Sequence, residues 1–386
     1  MNSVRECPCC RKHEITKLFK VGFSMENCLP KQYSIVCCKQ CGFVFADSFA
    51  TQEDYNRYYR DYNDYAEDSE IKHTDEIKET TYSQIARIIN KKYEKEIEII
   101  DIGCGAGDIL KLLKHEGFLK LTGLDPSKEA LMKLEKNNIK TVCANIFDKN
   151  VGANQFQLVI STCVAEHIFD LHRYIEGLIS FLDLKNRESR ILISVPATEG
   201  FPYYLAPRAN YFNQEHINYF SVNTLDNLMR VHGMKRENED CYLDYNNERY
   251  IYGLYYICDE RREIEYSSSA CDCINEYINR VQADEEKRTE RMDKVLEMNE
   301  IIVFGAGQLL SQVLVQYPEL REKIKYIVDN NSVKHGRMIC GIPIRPVGTI
   351  IKDIGTPVLI CAMFNQEKII EELKRIGVRA ADLIVL

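Results

Sequence analysis

Ile99-Ile100-Asp101-Ile102-Gly103-Cys104-Gly105-Ala106-Gly107-Asp108 runs from an apolar strand into a glycine turn, and the apolar spacing then continues as a helix over 109–113. Glycines let a ligand approach the backbone closely, and the helix start offers free N–H groups. Twenty-two residues after Gly103, a second strand over 120–124 ends at Asp125. A carboxylate in that place suits the two hydroxyls of a ribose. Short apolar runs over 98–102, 158–161 and 191–195, with helical periodicity between them, extend the pattern into a doubly wound parallel sheet. The turn differs from the G-x-G-x-x-G that seats a pyrophosphate. A dinucleotide, another nucleoside-bearing ligand, or simple packing of the turn therefore all stand open at this point.

Away from this turn the chain keeps a domain-like pattern. At 386 residues it exceeds one ordinary core, so two or three domains are expected. Apolar residues make up 45% and charged residues 28%, which excludes a disordered or fibrous chain. A net charge of −8 argues against a broad nucleic-acid footprint. The opening residues show no apolar targeting core, and no apolar run approaches the roughly 18 residues that span a bilayer. A cytosolic setting with reduced thiols is expected, and clustered cysteines then mean metal or chemistry rather than cross-links.

Seven of the sixteen cysteines fall within the first 41 residues. Cys7-Pro8-Cys9-Cys10 and Cys38-Lys39-Gln40-Cys41-Gly42 form two Cys-x-x-Cys turns. A two-residue spacer lets both thiolates of a turn face one ion, so Cys7, Cys10, Cys38 and Cys41 are expected to hold a structural zinc ion. Cys9 and Cys37 are neighbours that could replace members of that set, and a group of buried reduced thiols is the plainer alternative. Four thiolates leave no open coordination position, so the metal would shape the fold and not react. Cys104, Cys143 and Cys163 read as small buried apolar residues, and Cys163 is also counted with the cofactor-facing positions.

The D-x-G-x-G-x-G turn of Asp101, Gly103, Gly105 and Gly107 resembles the first motif of class I S-adenosylmethionine-dependent methyltransferases. The later matches follow that family's order: Asp125, then Asn145-Ile146, then Phe156-Gln157-Leu158-Val159-Ile160-Ser161. The resemblance implies S-adenosylmethionine as cofactor, with Asp101 near its amino-acid end, Asp125 on its ribose, and Asn145 and Ile146 near its adenine. Gln157 departs from the family's usual Asp. The stretch from Tyr33 to Phe45 looks like the zinc-binding module that precedes many bacterial class I methyltransferases. The stretches from Lys325 to Asn331, Lys334 to Arg337, Gly341 to Ile344 and Val358 to Asn365 resemble the C-terminal domain of sugar C-methyltransferases. That resemblance makes a nucleotide-linked sugar the favoured substrate, with no nucleic-acid or membrane partner. Gly305-Ala306-Gly307 with Asp329 repeats the glycine-and-acid logic, either to hold the nucleotide half of the substrate or merely to pack.

Glu215-His216 follows the strand over 191–195, and ligands of such sheets lie beyond the carboxyl ends of strands. An imidazole can take a proton near neutral pH, and an adjacent Glu can tune it. The sugar C-methyltransferase resemblance implies that His216 removes a proton beside a ketone. An imidazole base in its ordinary range makes the rate rise through a pKa near 6–7. Asn213 stands where that family has Tyr. A structural contact shaping the pocket is the plainer role for His216. His167, after the fourth strand, is either a substrate contact or helix-start packing. Tyr55, Tyr58, Tyr59, Tyr62 and Tyr65 could form a lid or pack a helix.

The expected architecture is therefore α/β, in five stretches. A zinc ribbon spans 1–46, a Tyr-rich linker 47–82, and a Rossmann-like methyltransferase domain 83–240. A connecting segment with a long helix covers 241–300, and a smaller Rossmann-like domain closes the chain over 301–386. The expected activity is methylation of a nucleotide-linked sugar, at carbon through an enolate. An O- or N-methyltransferase of a small metabolite is the alternative, and a zinc-bearing RNA methyltransferase a further one, against which the missing Lys/Arg run argues.

Overall fold

The computed structural model describes residues 3–24, 27–61, 80–148, 155–204, 211–245, 248–258, 263–362 and 365–386. Tyr62 and Tyr65 of the tyrosine cluster, and Met363 and Phe364 of the C-terminal motif, lie outside them. The chain divides into two compact units, each assembled from separate stretches. The first holds Met1–Leu18, Ile35–Leu205 and Glu215–Glu276; the second holds Phe19–Ser34, Ala206–Gln214 and Tyr277–Leu386.

Strands β1 (Ile15–Gly22), β2 (Gln32–Cys38) and β3 (Val44–Asp47) follow the first cysteine turn. The main sheet of the first unit begins with β4 (Glu98–Ile102), β5 (Lys120–Asp125), β6 (Lys140–Cys143), β7 (Leu158–Thr162) and β8 (Arg190–Pro196), all parallel. Their burial explains the near-continuous apolar runs: all five residues of β7 are buried. Alternate residues serve opposite faces. Ile99, Leu158, Ile160 and Leu192 pack under helices α2 (Thr81–Lys92), α3 (Asp108–His115) and α4 (Lys128–Glu135), which follow α1 (Gln52–Asp61). Ile100, Val159, Ile191 and Ile193 pack against α5 (Leu171–Phe181), α6 (Val222–Val231) and the cysteine module's Phe43 and Phe45.

After β8 the chain makes β9 (Asn218–Tyr219), which adds to the small sheet in the order β1-β2-β3-β9. It then forms β10 (Met234–Arg236), β11 (Tyr242–Tyr245) and β12 (Glu248–Ile257). The last of these lies antiparallel to β8, and β10 and β11 flank it antiparallel in turn. The full order is β10-β12-β8-β7-β4-β5-β6, with β11 beside β12. This antiparallel edge differs from the sequence reading, which took the region as connection. The run Arg249 to Ile257 is crowded with tyrosines and lacks the strict polar alternation of a half-buried strand. Order reverses between β4 and β7, and ligands of open α/β sheets bind beyond the strand ends at such a point.

The long helix α7 (Ser269–Leu296) starts among the last residues of the first unit and belongs mostly to the second. There β13 (Ile301–Phe304), β14 (Ile324–Val328), β15 (Met338–Ile339), β16 (Ile342–Arg345), β17 (Val358–Ile360) and β18 (Leu383–Val385) make a six-stranded sheet in the order β15-β16-β14-β13-β17-β18. Only β15 is antiparallel to its neighbour. Helix α8 (Gln308–Gln316) covers one face with Met292 and Val295 of α7, and α9 (Gln366–Arg375) covers the other. No helix among the described residues is long and apolar enough to cross a membrane.

Candidate functional site

The glycine turn after β4 is held by two backbone bonds: Gly103 and Cys104 both donate to the Leu124 carbonyl, at 2.8 and 3.1 Å. Its three glycines have different reasons to be there. A Cβ on Gly103 would fall 2.7 Å from Val164, and one on Gly107 2.2 Å from Leu134, so these two serve packing. Gly105 has a φ of +50°, and a Cβ there would meet nothing within 4 Å. It faces open space, as a cradle for a ligand must. Asp125 anchors this turn by taking the Gly105 N–H at 2.9 Å on one oxygen and the Ser127 N–H at 2.8 Å on the other. Burial outweighs these two bonds and raises its pKa.

Asp101 sits behind the turn, 2% exposed. Its Oδ1 has no hydrogen-bond partner among the described residues. Burial first, then Asp125 and Asp108, hold the carboxyl well above the usual carboxylate range. A buried acid left unpaired is a costly arrangement that a cationic ligand group would relieve. The open Gly105 and the orphaned Asp101 oxygen together fit a cofactor with a cationic group, such as S-adenosylmethionine.

The remaining cofactor-facing expectations are met unevenly. Cys163 closes β7 in the left-handed region with φ +54°, strained for a residue with a side chain, while donating its N–H to Ser194 at 2.8 Å. Ile146 leans on Gly177 of α5, and Asn145 spends its side-chain oxygen on the Phe147 N–H at 3.1 Å. Gln157 lies at the opposite end of the strands, where its Oε1 takes the Glu98 N–H at 2.6 Å, so the departure from Asp there is remote from the ligand. Cys143 corrects the reading as a buried thiol: it is exposed, because β6 is the sheet's edge. Tyr82 of α2 was not singled out from sequence. Cys163, burial and the acids Asp101, Asp108 and Glu166 push its phenol up. One tyrosine at an ordinary helical position carries no signal of that in the sequence.

A second group of side chains gathers beyond β7 and β8. His167 ends a short helical turn, Ala165–His167. Its Nδ1 lies 2.7 Å from the Tyr59 hydroxyl and 3.2 Å from the Glu215 carbonyl. Since a carbonyl only accepts, a proton on Nδ1 satisfies it and leaves Nε2 with its lone pair. The His216 ring stands edge-on to His167 at 4.7 Å. Tyr58 donates to the Glu215 carboxylate at 2.7 Å, so this acid reaches a phenol as well as influencing His216. Of the tyrosine cluster, Tyr58 and Tyr59 thus reach the group; Tyr55 is buried against Phe169. Asn213, counted with the second unit, takes the Tyr33 hydroxyl on its carbonyl.

Burial sets the protonation states here. It lowers His167 to about 4. His216 falls to about 3, by burial first and then by His167, against the pull of Glu215. Burial thus favours the neutral imidazole at both positions, which moves the expected limb down from 6–7. Glu166, 2% exposed, is pushed up to about 8 by burial, and its Oε2 is unpartnered among the described residues. One carboxylate oxygen of Glu166 and one nitrogen from each of His167 and His216 lie within 4.8 Å of one another, near enough to share a cation.

In the cysteine module the two turns are equivalent. Arg11 donates to the Cys7 carbonyl and Gly42 to the Cys38 carbonyl, each at 2.9 Å, and both donors are left-handed, at φ +58° and +78°. Gly42 is required there, since a Cβ would strike the Ser267 carbonyl at 1.7 Å. Cys7 and Cys41 Sγ lie 3.6 Å apart, and Cys10 and Cys38 Sγ 3.4 Å. A tetrahedron with arms of about 2.3 Å has edges of about 3.8 Å, so the four sulfurs fit one zinc ion. Cys9 instead turns to the Thr224 carbonyl and Cys37 to the Gly42 carbonyl, which removes them as ligands.

Two family models match the chain. Residues 76–237 match the family described as a methyltransferase domain, and residues 260–386 match the C-methyltransferase C-terminal domain. No curated protein matches the chain. Among solved structures, an S-adenosylmethionine-dependent methyltransferase from Mesorhizobium loti is similar at 14% identity, over 45% of this chain and 96% of that one, with a TM-score of 0.36. Magnesium protoporphyrin IX methyltransferase from Synechocystis is similar at 14% identity, over 46% and 78%, with a TM-score of 0.35.

Proposed function

We propose that this chain, a class I S-adenosylmethionine-dependent methyltransferase ending in a C-methyltransferase C-terminal domain, methylates a carbon of a nucleotide-linked sugar. The observation that carries the reading is the neutral His167–His216 pair with Tyr58 and Tyr59 beside it. Transfer to a hydroxyl needs little more than one base. A carbon beside a ketone needs a base for the C–H proton and donors for the oxygen of the resulting enolate. Here a His216 nitrogen takes the proton, and the phenol missing at Asn213 comes from Tyr59 on α1. When bound, S-adenosylmethionine supplies an electrophilic methyl group. Asp101 would hold its ammonium and Asp125 its ribose, and Gly105 leaves room for it.

The second unit supports a nucleotide-bearing substrate. Ala306 donates to Asp329 at 2.8 Å in a second glycine turn, at the point where that sheet's order reverses. In the same reading a zinc ion on Cys7, Cys10, Cys38 and Cys41 constrains the amino-terminal fold and, with no open coordination position, takes no substrate.

Incubation with labelled S-adenosylmethionine and a panel of nucleotide-linked keto-sugars, read by mass spectrometry, tests the proposal. Deuterium lost from the carbon beside the ketone, with methyl gained, supports carbon transfer; methyl gain on a hydroxyl or on RNA sinks it. His216→Asn should lower kcat by about 10²–10⁴-fold, the range for a positioned base. Glu215→Gln should cost less. An imidazole must be neutral to accept a proton, so the rate rises with pH through its folded pKa. That limb should lie near 3, leaving the rate flat from pH 5 to 7. A limb at 6–7 would mean that His216 is not the buried base described here. The donor set of Glu166, His167 and His216 favours one other reading, a metal-assisted enolisation. Two metal ions per chain, with activity following the second, would select it over the base.

A further inference from the structure

Arg5 lies two residues before Cys7, in a module whose expected task is only to hold zinc. Its side chain is buried, with the residue 4% exposed. Asp47 fixes its backbone by accepting the Val4 and Arg5 N–H groups at 2.8 and 2.9 Å. From there the guanidinium crosses to two segments that the reaction uses. Nη2 donates to the Phe169 carbonyl at 2.5 Å, the Ile168 carbonyl at 3.4 Å and Asn218 Oδ1 at 3.1 Å. Nη1 donates to the Ile217 carbonyl at 3.4 Å and the Ala46 carbonyl at 3.5 Å. The cation also lies 4.2 Å over the Phe169 ring.

The acceptors share a pattern. Ile168 and Phe169 directly follow His167, and Ile217 and Asn218 directly follow His216. Asn218 tightens the same knot, donating to the Ala165 carbonyl at 2.8 Å and the Ile168 carbonyl at 2.7 Å. The Ile217 N–H meets the Glu166 carbonyl at 2.8 Å. The backbones that carry the two imidazoles thus converge on one planar fork, which a lysine ammonium cannot reproduce. The arrangement is not the one stability alone favours. A cation is buried against neutral carbonyls, and its Nε has no partner among the described residues, where an apolar side chain would avoid the desolvation cost.

We propose that Arg5 is a positioning residue for the His167–His216 pair, which makes the cysteine module part of the reaction machinery. The proposal rests on the reading of these imidazoles as the groups that act on substrate. Because reacting geometries tolerate little displacement, a shift of about 1 Å in the pair can cost about 100-fold in rate. Zinc enters the same argument, since Cys7 fixes the chain two residues beyond Arg5.

The test uses the full chain carrying Arg5→Met and Arg5→Lys. Turnover should fall by about 10–100-fold in both. One zinc per chain, the calorimetric affinity for S-adenosylmethionine and the KM for the sugar should stay within about twofold of wild type, since the glycine turn is untouched. The acid limb of the pH–rate profile should move up toward the ordinary imidazole range as the pair loosens. A merely structural Arg5 predicts a lower melting temperature with wild-type kcat and an unmoved limb, and that result overturns the proposal. Should Arg5→Met fail to fold, Asn218→Ser cuts the same link from the other side and is expected to show the same split. A cycle with His216→Asn separates the two ideas. If Arg5→Met costs turnover in wild type and nothing further in the His216→Asn background, the positioning role stands. An equal cost in both backgrounds overturns it. Wild-type turnover in His216→Asn alone defeats only the base.

Discussion

At the head of β4, Gly103 donates to the Leu124 carbonyl and Gly105 to Asp125, whose other oxygen takes the N–H two residues on. At the head of β13, Gly305 donates to the Val328 carbonyl and Ala306 to Asp329, whose other oxygen takes the N–H of Asn331, again two residues on. The wiring is alike, although the donor to the acid stands two residues after the leading glycine in the first turn and one after it in the second, and the turns differ in three further respects. The first has Asp101 two places before its leading glycine, where the second has Val303. The first turn is two residues longer before its helix begins. Asp329 is also paired with Lys334 at 3.2 Å, while Asp125 keeps its oxygens on backbone N–H groups. On the proposed reading, each glycine turn with its following acid seats a nucleoside. The buried acid behind it is what suits one of them to a cofactor bearing an ammonium group.

The sharpest way to break this comparison is Asp101→Val, which gives the first turn the second turn's residue. S-adenosylmethionine binding should weaken by on the order of 2–3 kcal/mol, the upper range for a hydrogen bond to a charged group. The ligand-free protein should melt higher, since a buried carboxyl without a partner is removed. Calorimetry and thermal melting should thus move in opposite directions. Unchanged affinity would show that the acid does not face the cofactor.

Asp125→Ala is expected to cost on the order of 1–3 kcal/mol of S-adenosylmethionine affinity. Asp329→Ala should leave that affinity at the wild-type value and raise the KM for a nucleotide-linked sugar several-fold, a smaller effect because Lys334 already occupies one oxygen. Loss of cofactor binding in Asp329→Ala would mean that the two seats are not independent.

The four parallel strands of the first unit that the sequence pattern predicted are visible in it because residues buried on both faces must be apolar in a run. The antiparallel edge formed by β10, β11 and β12 was not. Its tyrosines, such as Tyr252 and Tyr255, are buried mainly by partners distant in sequence. At the site, Asp101, Gly105 and Asp125 announce themselves because a ligand seat needs special backbone and charge at fixed spacing. Tyr59 does not, since only the folded chain brings its helix to His167. The titration of His216 was also hidden: the residue type suggests the ordinary range, and burial beside a second imidazole overrides it. Arg5 had no signal at all, because a single arginine before a cysteine turn reads as surface charge until its carbonyl acceptors are seen.

The smallest expected effect probes the two turns at their open glycines. Gly307 precedes α8 with φ −118°, extended backbone that any residue adopts, and a Cβ there would meet nothing within 4 Å. Gly307→Ala should therefore leave the melting temperature within about 1–2 °C of wild type, the scale of a substitution worth a few tenths of a kcal/mol. Gly105 also faces open space, but its φ of +50° makes Gly105→Ala strained, at a cost of about 1 kcal/mol before any ligand is considered. The pair thus separates backbone strain from ligand contact. If the second turn seats the nucleotide half of the substrate, Gly307→Ala should raise its KM with no change in stability, because the added methyl group enters space that only a ligand would fill. If that turn only packs, KM stays at the wild-type value and the variant is silent in every assay. A fall in stability would contradict the open geometry itself, and with it the parallel drawn between the two seats.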